Sequence, residues 1–243
     1  MGANATPSPR AKEPWTERVK TAIYRLGVPV LTLFLKLLFR LEVVGREHVP
    51  SNQGVLLVAR HRSYWDIPLL LAALGPRHRI HFVARHTLLR NPLFYPFVKY
   101  FAIPINRERF GMDDFRKVVR AIQDDKIVGI FPEGTTRPTP HVRVGAVRFA
   151  ERAKKPFLPV RIEAHGPYPP KYPFRWPKVR VIIGRPFTLE ELEREEALTG
   201  GKGGTARRAR HAHHARHERY ERLARALMAR VDRVGWAEAG TGT

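Results

Sequence analysis

The stretch Gly54-Val55-Leu56-Leu57-Val58-Ala59-Arg60-His61-Arg62-Ser63-Tyr64-Trp65-Asp66, continued by a second apolar run over 67–74, decides how this chain is read. The first run is short and β-branched, which predicts a buried strand. The second is longer and carries Leu69, Leu70, Ala73 and Leu74 at helical spacing, which predicts a helix. His61 therefore falls at a strand-to-helix junction. Backbone amides are free there, and a side chain can project from the sheet edge. A histidine with an aspartate partner is a general base with an orienting carboxylate. Among eleven histidines, a His-x4-Asp spacing also arises easily by accident, so its neighbours must decide.

Outward from that junction, strands and helices alternate. Extended segments are predicted at 81–84, 103–105, 127–131, 157–162 and 179–183, with a short one over 41–45. An amphipathic helix is predicted at 113–123, a further helix at 144–153 and a short acidic one at 189–198, and a short helix at 93–101 carries Lys99. This alternation defines an α/β class with a mainly parallel mixed sheet flanked by helices. Ligands of such sheets bind beyond the C-terminal strand ends. His61, Arg107 and Glu133 each directly follow a predicted strand, delivering a base, a cation and a carboxylate to one edge.

The flanks read differently. Residues 1–13 are polar and proline-containing, and are expected to be disordered, without a signal-peptide pattern. Trp15, Val19, Ile23 and Leu26 recur at helical spacing, and Gly27-Val28-Pro29 is expected to interrupt the helix. A second, more apolar helix follows over 30–41, with Thr32, Lys36 and Arg40 as a narrow polar stripe. Its twelve residues would span about 18 Å against about 30 Å of hydrocarbon, so a crossing is not expected. Residues 14–41 read as a membrane-associating helical hairpin lying in the interface, or else as a helix buried on the domain core. Residues 42–199 form the central domain. Residues 200–243 comprise a glycine linker and a basic helix with Leu223, Leu227, Met228 and Val231 as its apolar stripe. His213 and His217 stand i, i+4 on that helix. No carboxylate or cysteine cluster completes a metal site around them, so a solvated basic face is the better reading.

The chain has 243 residues, a formal net charge of +22 and no cysteine. The charge calls for an anionic partner: nucleic acid, an anionic membrane surface or a phosphorylated substrate. The absence of cysteine removes disulfides, thiolate metal sites and thiol nucleophiles. No recognised nucleic-acid motif interleaves aromatic residues with the basic runs, which leaves a non-enzymatic nucleic-acid- or membrane-binding protein as a distant alternative.

Four blocks in order carry a resemblance. They are His61-x4-Asp66 with Ser63 between them; Ile103-Pro104-Ile105-Asn106-Arg107; Phe131-Pro132-Glu133-Gly134-Thr135; and Leu158-Pro159-Val160-Arg161-Ile162. Over about 41–187 the chain resembles the PlsC-type 1-acylglycerol-3-phosphate acyltransferases, within the broader glycerolipid acyltransferase family. The N-terminal hairpin resembles that family's two-helix membrane-docking motif. There are departures. Arg60 stands where the family often has asparagine, Phe101 replaces a usual glycine, and Thr136 displaces Arg137 by one position.

The resemblance implies acyl transfer from acyl-CoA or acyl carrier protein to the sn-2 hydroxyl of lysophosphatidic acid, giving phosphatidic acid. It implies no metal and no cofactor, and a peripheral or monotopic place on the cytoplasmic face of the cell membrane. His61 becomes the base and Asp66 its orienter. Ser63 is read as a helix cap or oxyanion neighbour, and backbone amides at the His61 junction as oxyanion donors. Arg107, Arg137 and Lys99 are candidates for the acceptor phosphate, because guanidinium matches phosphate bidentately. Glu133 is expected to bind the glycerol hydroxyl or to brace an arginine. Gly134 lets the backbone approach the ligand, and Thr135 is expected with it among the substrate-binding residues. The displaced Arg137 keeps other acceptors open: glycerol 3-phosphate, a lyso-ornithine lipid or a glycolipid.

Overall fold

A computed structural model describes residues 15–92, 95–171, 176–199 and 212–235. The expected tail over 1–13 and the glycine linker lie outside the described residues. The elements run α1 (Trp15–Phe39), β1 (Glu42–Val44), β2 (Val55–Val58), α2 (Asp66–Leu74), β3 (Ile80–Arg85), α3 (Tyr95–Phe101), β4 (Ala102–Ile105), α4 (Met112–Gln123), β5 (Ile127–Ile130), α5 (Gly145–Ala153), β6 (Phe157–His165), β7 (Lys178–Ile183), α6 (Leu189–Thr199) and α7 (Ala212–Arg233). The seven strands form one sheet in the order β1-β7-β6-β2-β5-β3-β4. All neighbouring pairs are parallel except β6 with β7, so the sheet is mixed and mainly parallel, as expected.

The apolar run that opens the reading is buried on both faces because the sheet is covered on both. Val55, Leu57 and Ala59 join a core with Tyr24, Leu35 and Phe39 of α1 and Leu69, Leu70 and Ala73 of α2. The alternate residues Leu56 and Val58 point to the opposite layer. There they meet Val118 and Ile122 of α4, Val147 and Phe149 of α5, and Leu223 and Leu227 of α7.

The N-terminal expectation requires a correction. The chain does not break at Gly27-Val28-Pro29: α1 is one helix with Pro29 inside it. Proline removes one intrahelical donor and normally costs about 3 kcal/mol. Tertiary packing holds the helix across it, since Tyr24, Val28, Leu35 and Phe39 are buried along the inner side and Tyr24 Oη donates to the carbonyl of His78 at 3.0 Å. The Thr32 hydroxyl back-bonds to the Val28 carbonyl at 2.7 Å. As one helix, residues 17–39 are long and apolar enough to cross a membrane by length and composition, which overturns the length argument drawn from a broken helix. The opposite face, Val19, Ile23, Leu26, Val30, Leu33, Phe34 and Leu37, stays exposed, with Leu26 at 76% and Leu37 at 77%.

The basic C-terminal helix is packed and paired. Leu223, Leu227, Met228 and Val231 are buried. Arg219 pairs with Glu151 and Glu193, Arg222 with Glu196, and Arg230 with Glu195. The acidic α6 thus neutralises much of the basic face of α7, and less cation is left for an anionic surface than the sequence suggests. The side chain of His213 lies outside the description. His217 Nε2 faces Glu221 at 3.2 Å.

Candidate active site

β2, β5, β3 and β4 lie side by side and parallel, so their C-terminal ends open on one edge. His61 stands three residues beyond β2, and its Nδ1 meets Asp66 Oδ2 at 2.9 Å. Asp66 opens α2 and is 1% exposed. Its Oδ2 also accepts the backbone N–H groups of Arg62 at 2.7 Å and Ser63 at 2.9 Å. With Nδ1–H donated to the carboxylate, Nε2 carries the lone pair, a tautomer assigned from the hydrogen-bond partner.

Asp66 Oδ1 accepts the hydroxyl of Tyr168, a residue beyond β6 that sequence reasoning missed. Burial first, then the Asp66 charge, holds that phenol protonated well above its ordinary range. Nothing in the sequence signals the contact, which spans 102 positions.

The imidazole of His61 is stacked on Phe131, with centroids 4.2 Å apart and planes 15° apart. Phe131 in turn stacks on Phe82, 5.7 Å and 7°. The strand order explains this. β5 lies between β2 and β3, so the ring following β5 sits between the His61 loop and the β3 ring. A Cβ on Gly129 would meet the Phe82 ring at 2.7 Å, so glycine there makes room for the stack.

Glu133 accepts the His61 backbone N–H on Oε2 at 2.9 Å and Arg60 Nη1 on Oε1 at 2.5 Å. Of the two roles expected for it, the structure shows the arginine brace, with both oxygens engaged. A second expectation is corrected at the same place. The amides of residues 61, 62 and 63 donate to Glu133 or Asp66, and that of Trp65 donates to Ser63 Oγ. They are therefore not free to serve as oxyanion donors. Ser63 is buried and acts as an acceptor in that turn.

One residue along, the Gly134 carbonyl accepts Arg107 Nη1 at 2.5 Å. Gly134 has φ 67, in the left-handed region, and a Cβ there would meet Arg107 Nη2 at 2.9 Å and Arg143 Nε at 3.1 Å. Two guanidiniums thus converge on this turn, and the charge of Arg85 is felt there as well. Burial, then Arg85, then Arg143, lower the Arg107 pKa to about 10. Among the described residues no carboxylate pairs with Arg85, Arg107 or Arg143. Unopposed cations around a tight turn form a place for an anion.

The other expected phosphate ligands sit differently. Arg137 is exposed, and its backbone N–H donates to Thr135 Oγ1 at 3.1 Å. Lys99 is exposed on α3 with its ammonium over the Tyr95 ring, 5.1 Å from the centroid. Arg85 and Arg143 were missed in the sequence. Arg85 ends β3 as Arg107 follows β4, and that placement was the available signal. Arg143 lay among 44 basic residues with nothing to distinguish it. Among the described residues no three His, Asp or Glu side chains converge as a metal site.

A histidine paired with a buried aspartate thus lies beside arginines that no carboxylate opposes, at the edge of a mainly parallel sheet. The chain belongs to the acyltransferase family, whose model, described as Acyltransferase, matches residues 40–163. Within it, the chain is 30% identical over 166 residues to the 1-acyl-sn-glycerol-3-phosphate acyltransferase of Bacillus subtilis, covering 68% of this chain and 82% of that one. It is 27% identical over 180 residues to the enzyme of the same name from Streptococcus pneumoniae, covering 70% of this chain and 64% of that one. The fold is that of the 1-acyl-sn-glycerophosphate (LPA) acyltransferase PlsC of Thermotoga maritima, with TM-score 0.55 and 21% identity over 97% of this chain and 86% of that one.

Proposed function

We propose that this acyltransferase moves a fatty acyl group from acyl-CoA or acyl carrier protein to the sn-2 hydroxyl of lysophosphatidic acid, forming phosphatidic acid. The observation that carries this reading is the adjacency of Glu133 and Gly134 in one turn. The first holds the backbone of the base, and the second holds the arginine of an unpaired cation cluster. One turn thereby registers the base against the anchor of a phosphorylated alcohol.

In this mechanism His61 Nε2 takes the hydroxyl proton as the oxygen attacks the thioester carbonyl. Asp66 holds Nδ1–H and stabilises the imidazolium that forms. Collapse of the tetrahedral species breaks the C–S bond, and the thiolate leaves with the proton held by His61. Base assistance of this kind contributes about 10²–10⁴-fold. Arg107 and Arg143 fix the acceptor phosphate, with Arg137 and Lys99 as outer cations and Thr135 shaping the loop.

Residues 42–199 are the catalytic unit. The exposed apolar stripe of α1, flanked by Arg18, Arg25 and Lys36, lies on an anionic membrane surface at the cytoplasmic face, in a peripheral or monotopic manner. Replacing Leu26 and Leu37 by Asp tests that contact by vesicle sedimentation, and unchanged binding would remove it.

The displaced and exposed Arg137 keeps a second acceptor in view: glycerol 3-phosphate, a lyso-ornithine lipid or a glycolipid. Purified enzyme assayed with both thioester donors against this acceptor panel decides between them. Acylation of lysophosphatidic acid, abolished in His61→Ala, is the expected result. An inert lysophosphatidic acid beside another acylated acceptor would overturn the reading.

A further inference from the structure

Arg60, the residue directly before the base, lies between two carboxylates, Glu133 of the turn after β5 and Asp232 at the end of α7. Its Nε and Nη2 donate to Asp232 Oδ1 and Oδ2 at 2.6 and 2.5 Å, a bidentate pair. Its Nη1 donates to Glu133 Oε1 at 2.5 Å. The other oxygen of Glu133 accepts the His61 backbone N–H at 2.9 Å. A continuous relay therefore runs from α7 through a side chain beyond β2 and a turn beyond β5 to the backbone of the base.

We infer that Asp232 is a positioning residue for the transfer, acting on His61 through Arg60 and Glu133, so that the C-terminal helix completes the active-site frame. The inference rests on the reading of His61 as the base. A planar guanidinium offers a fixed fork, so seating one pair of donors on Asp232 sets where the third points. That direction is Glu133, whose side chain is 9% exposed and whose two oxygens each receive one donor. Asp232 is more open, at 45%, so the bridge adds little to global stability.

The rest of α7 is held without it. Leu223, Leu227, Met228 and Val231 are buried, and Arg219, Arg222 and Arg230 pair with glutamates of α5 and α6. The Val234 carbonyl also accepts Arg161 Nη1 at 3.3 Å. Asp232 is thus placed to orient rather than to anchor. Small displacements of a catalytic group are costly in rate, which is where its effect appears.

The relay also accounts for a departure from the family pattern. Arginine at position 60 sets a second cation beside the reacting histidine, and this chain supplies Glu133 and Asp232 as its two counter-charges.

The test is a double-mutant cycle on the full chain, with lysophosphatidic acid as acceptor and both acyl-CoA and acyl carrier protein as donors. Asp232→Ala is expected to lower kcat about tenfold, with little change in the acceptor KM or the melting temperature. Combining it with Arg60→Asn is expected to give no larger loss than the worse single variant. Arg219→Ala, which loosens α7 away from the relay, is expected to lower the melting temperature and spare kcat. Wild-type kcat in Asp232→Ala, or losses that multiply in the double variant, would overturn the inference. His61→Ala separates the two levels. Retained activity there removes the base assignment itself, whereas an inactive His61→Ala beside a normal Asp232→Ala removes the relay alone.

Discussion

Phe131 lies flat against the imidazole of His61, 4.2 Å between ring centroids, and its other face meets Phe82. The ring plane of His61 is therefore set from below by β5 and β3, while Asp66 sets it from the side through Nδ1. Two independent restraints on one ring leave Nε2 with a defined direction, as the proposed role of a general base requires.

That stack depends on Gly129. Gly129→Ala would press a methyl into the Phe82 ring, 2.7 Å away. Overpacking of this kind costs about 1–3 kcal/mol. The expected outcome is a lower melting temperature and a lower kcat, both partly restored by adding Phe82→Leu. Thermal melts and steady-state kinetics on the single and double variants check it.

Tyr168→Phe takes one donor from the Asp66 carboxylate and leaves the ring in place. Hydrogen bonds to charged groups contribute about 1.5–3 kcal/mol. Stability should fall within that range, and kcat should fall while the acceptor KM stays constant. A variant with normal kcat would show that the backbone amides of Arg62 and Ser63 suffice to hold Asp66.

The arginines around Gly134 should rank by geometry. Arg107→Ala should raise the acceptor KM most, Arg143→Ala next, and Arg137→Ala least, because the Arg107 guanidinium bonds the Gly134 carbonyl and that of Arg143, though exposed, comes close to Gly134. Losing a charge-assisted contact of this class corresponds to about tenfold or more in apparent affinity. Titration of lysophosphatidic acid against each variant gives the order, and Arg137 at the head of it would relocate the phosphate.

His81 predicts an acid limb in stability. Burial, then Arg79 and Lys126, lower its pKa from 6.5 to about 4, and its Nδ1 is buried with no partner among the described residues. The unfolded chain takes up this proton near the ordinary value, and the folded chain resists it. The contribution is complete above about pH 6.5 and is lost as pH falls toward 4, up to about 3 kcal/mol. Denaturant titrations across that window should show the decline, and His81→Phe should flatten it.

Much of the frame was legible in the sequence, for a local reason. Strands such as 55–58 and 127–130 announce themselves by β-branched runs, and helices such as 112–123 by apolar spacing. His61 and Asp66 are five positions apart across one turn, so their pairing is a short-range matter. Glu133 and Arg107 were legible because each follows a predicted strand, and strand ends are where such sheets place ligands, while Gly134 was legible only through the resemblance of its block.

Long-range features were not legible. The continuity of α1 through Pro29 depends on packing of Tyr24, Val28, Leu35 and Phe39, and local propensity points the other way. The basic face of α7 read as a solvated one, yet glutamates of α5 and α6 pair with three of its arginines.

The sequence by itself determined the α/β class, the order of strand-end residues and the pairing of His61 with Asp66, because these rest on spacing within a few residues. Tertiary structure alone decided that Tyr168 reaches Asp66 across 102 positions and Asp232 reaches Arg60 across 172. It also decided that the amides of residues 61, 62, 63 and 65 are already engaged, and that Phe131, following β5, stacks on both His61 and Phe82. The physical reason is the same in each case. Which distant groups meet depends on strand order and helix layer, and a periodic pattern carries the period of an element without the identity of its neighbour.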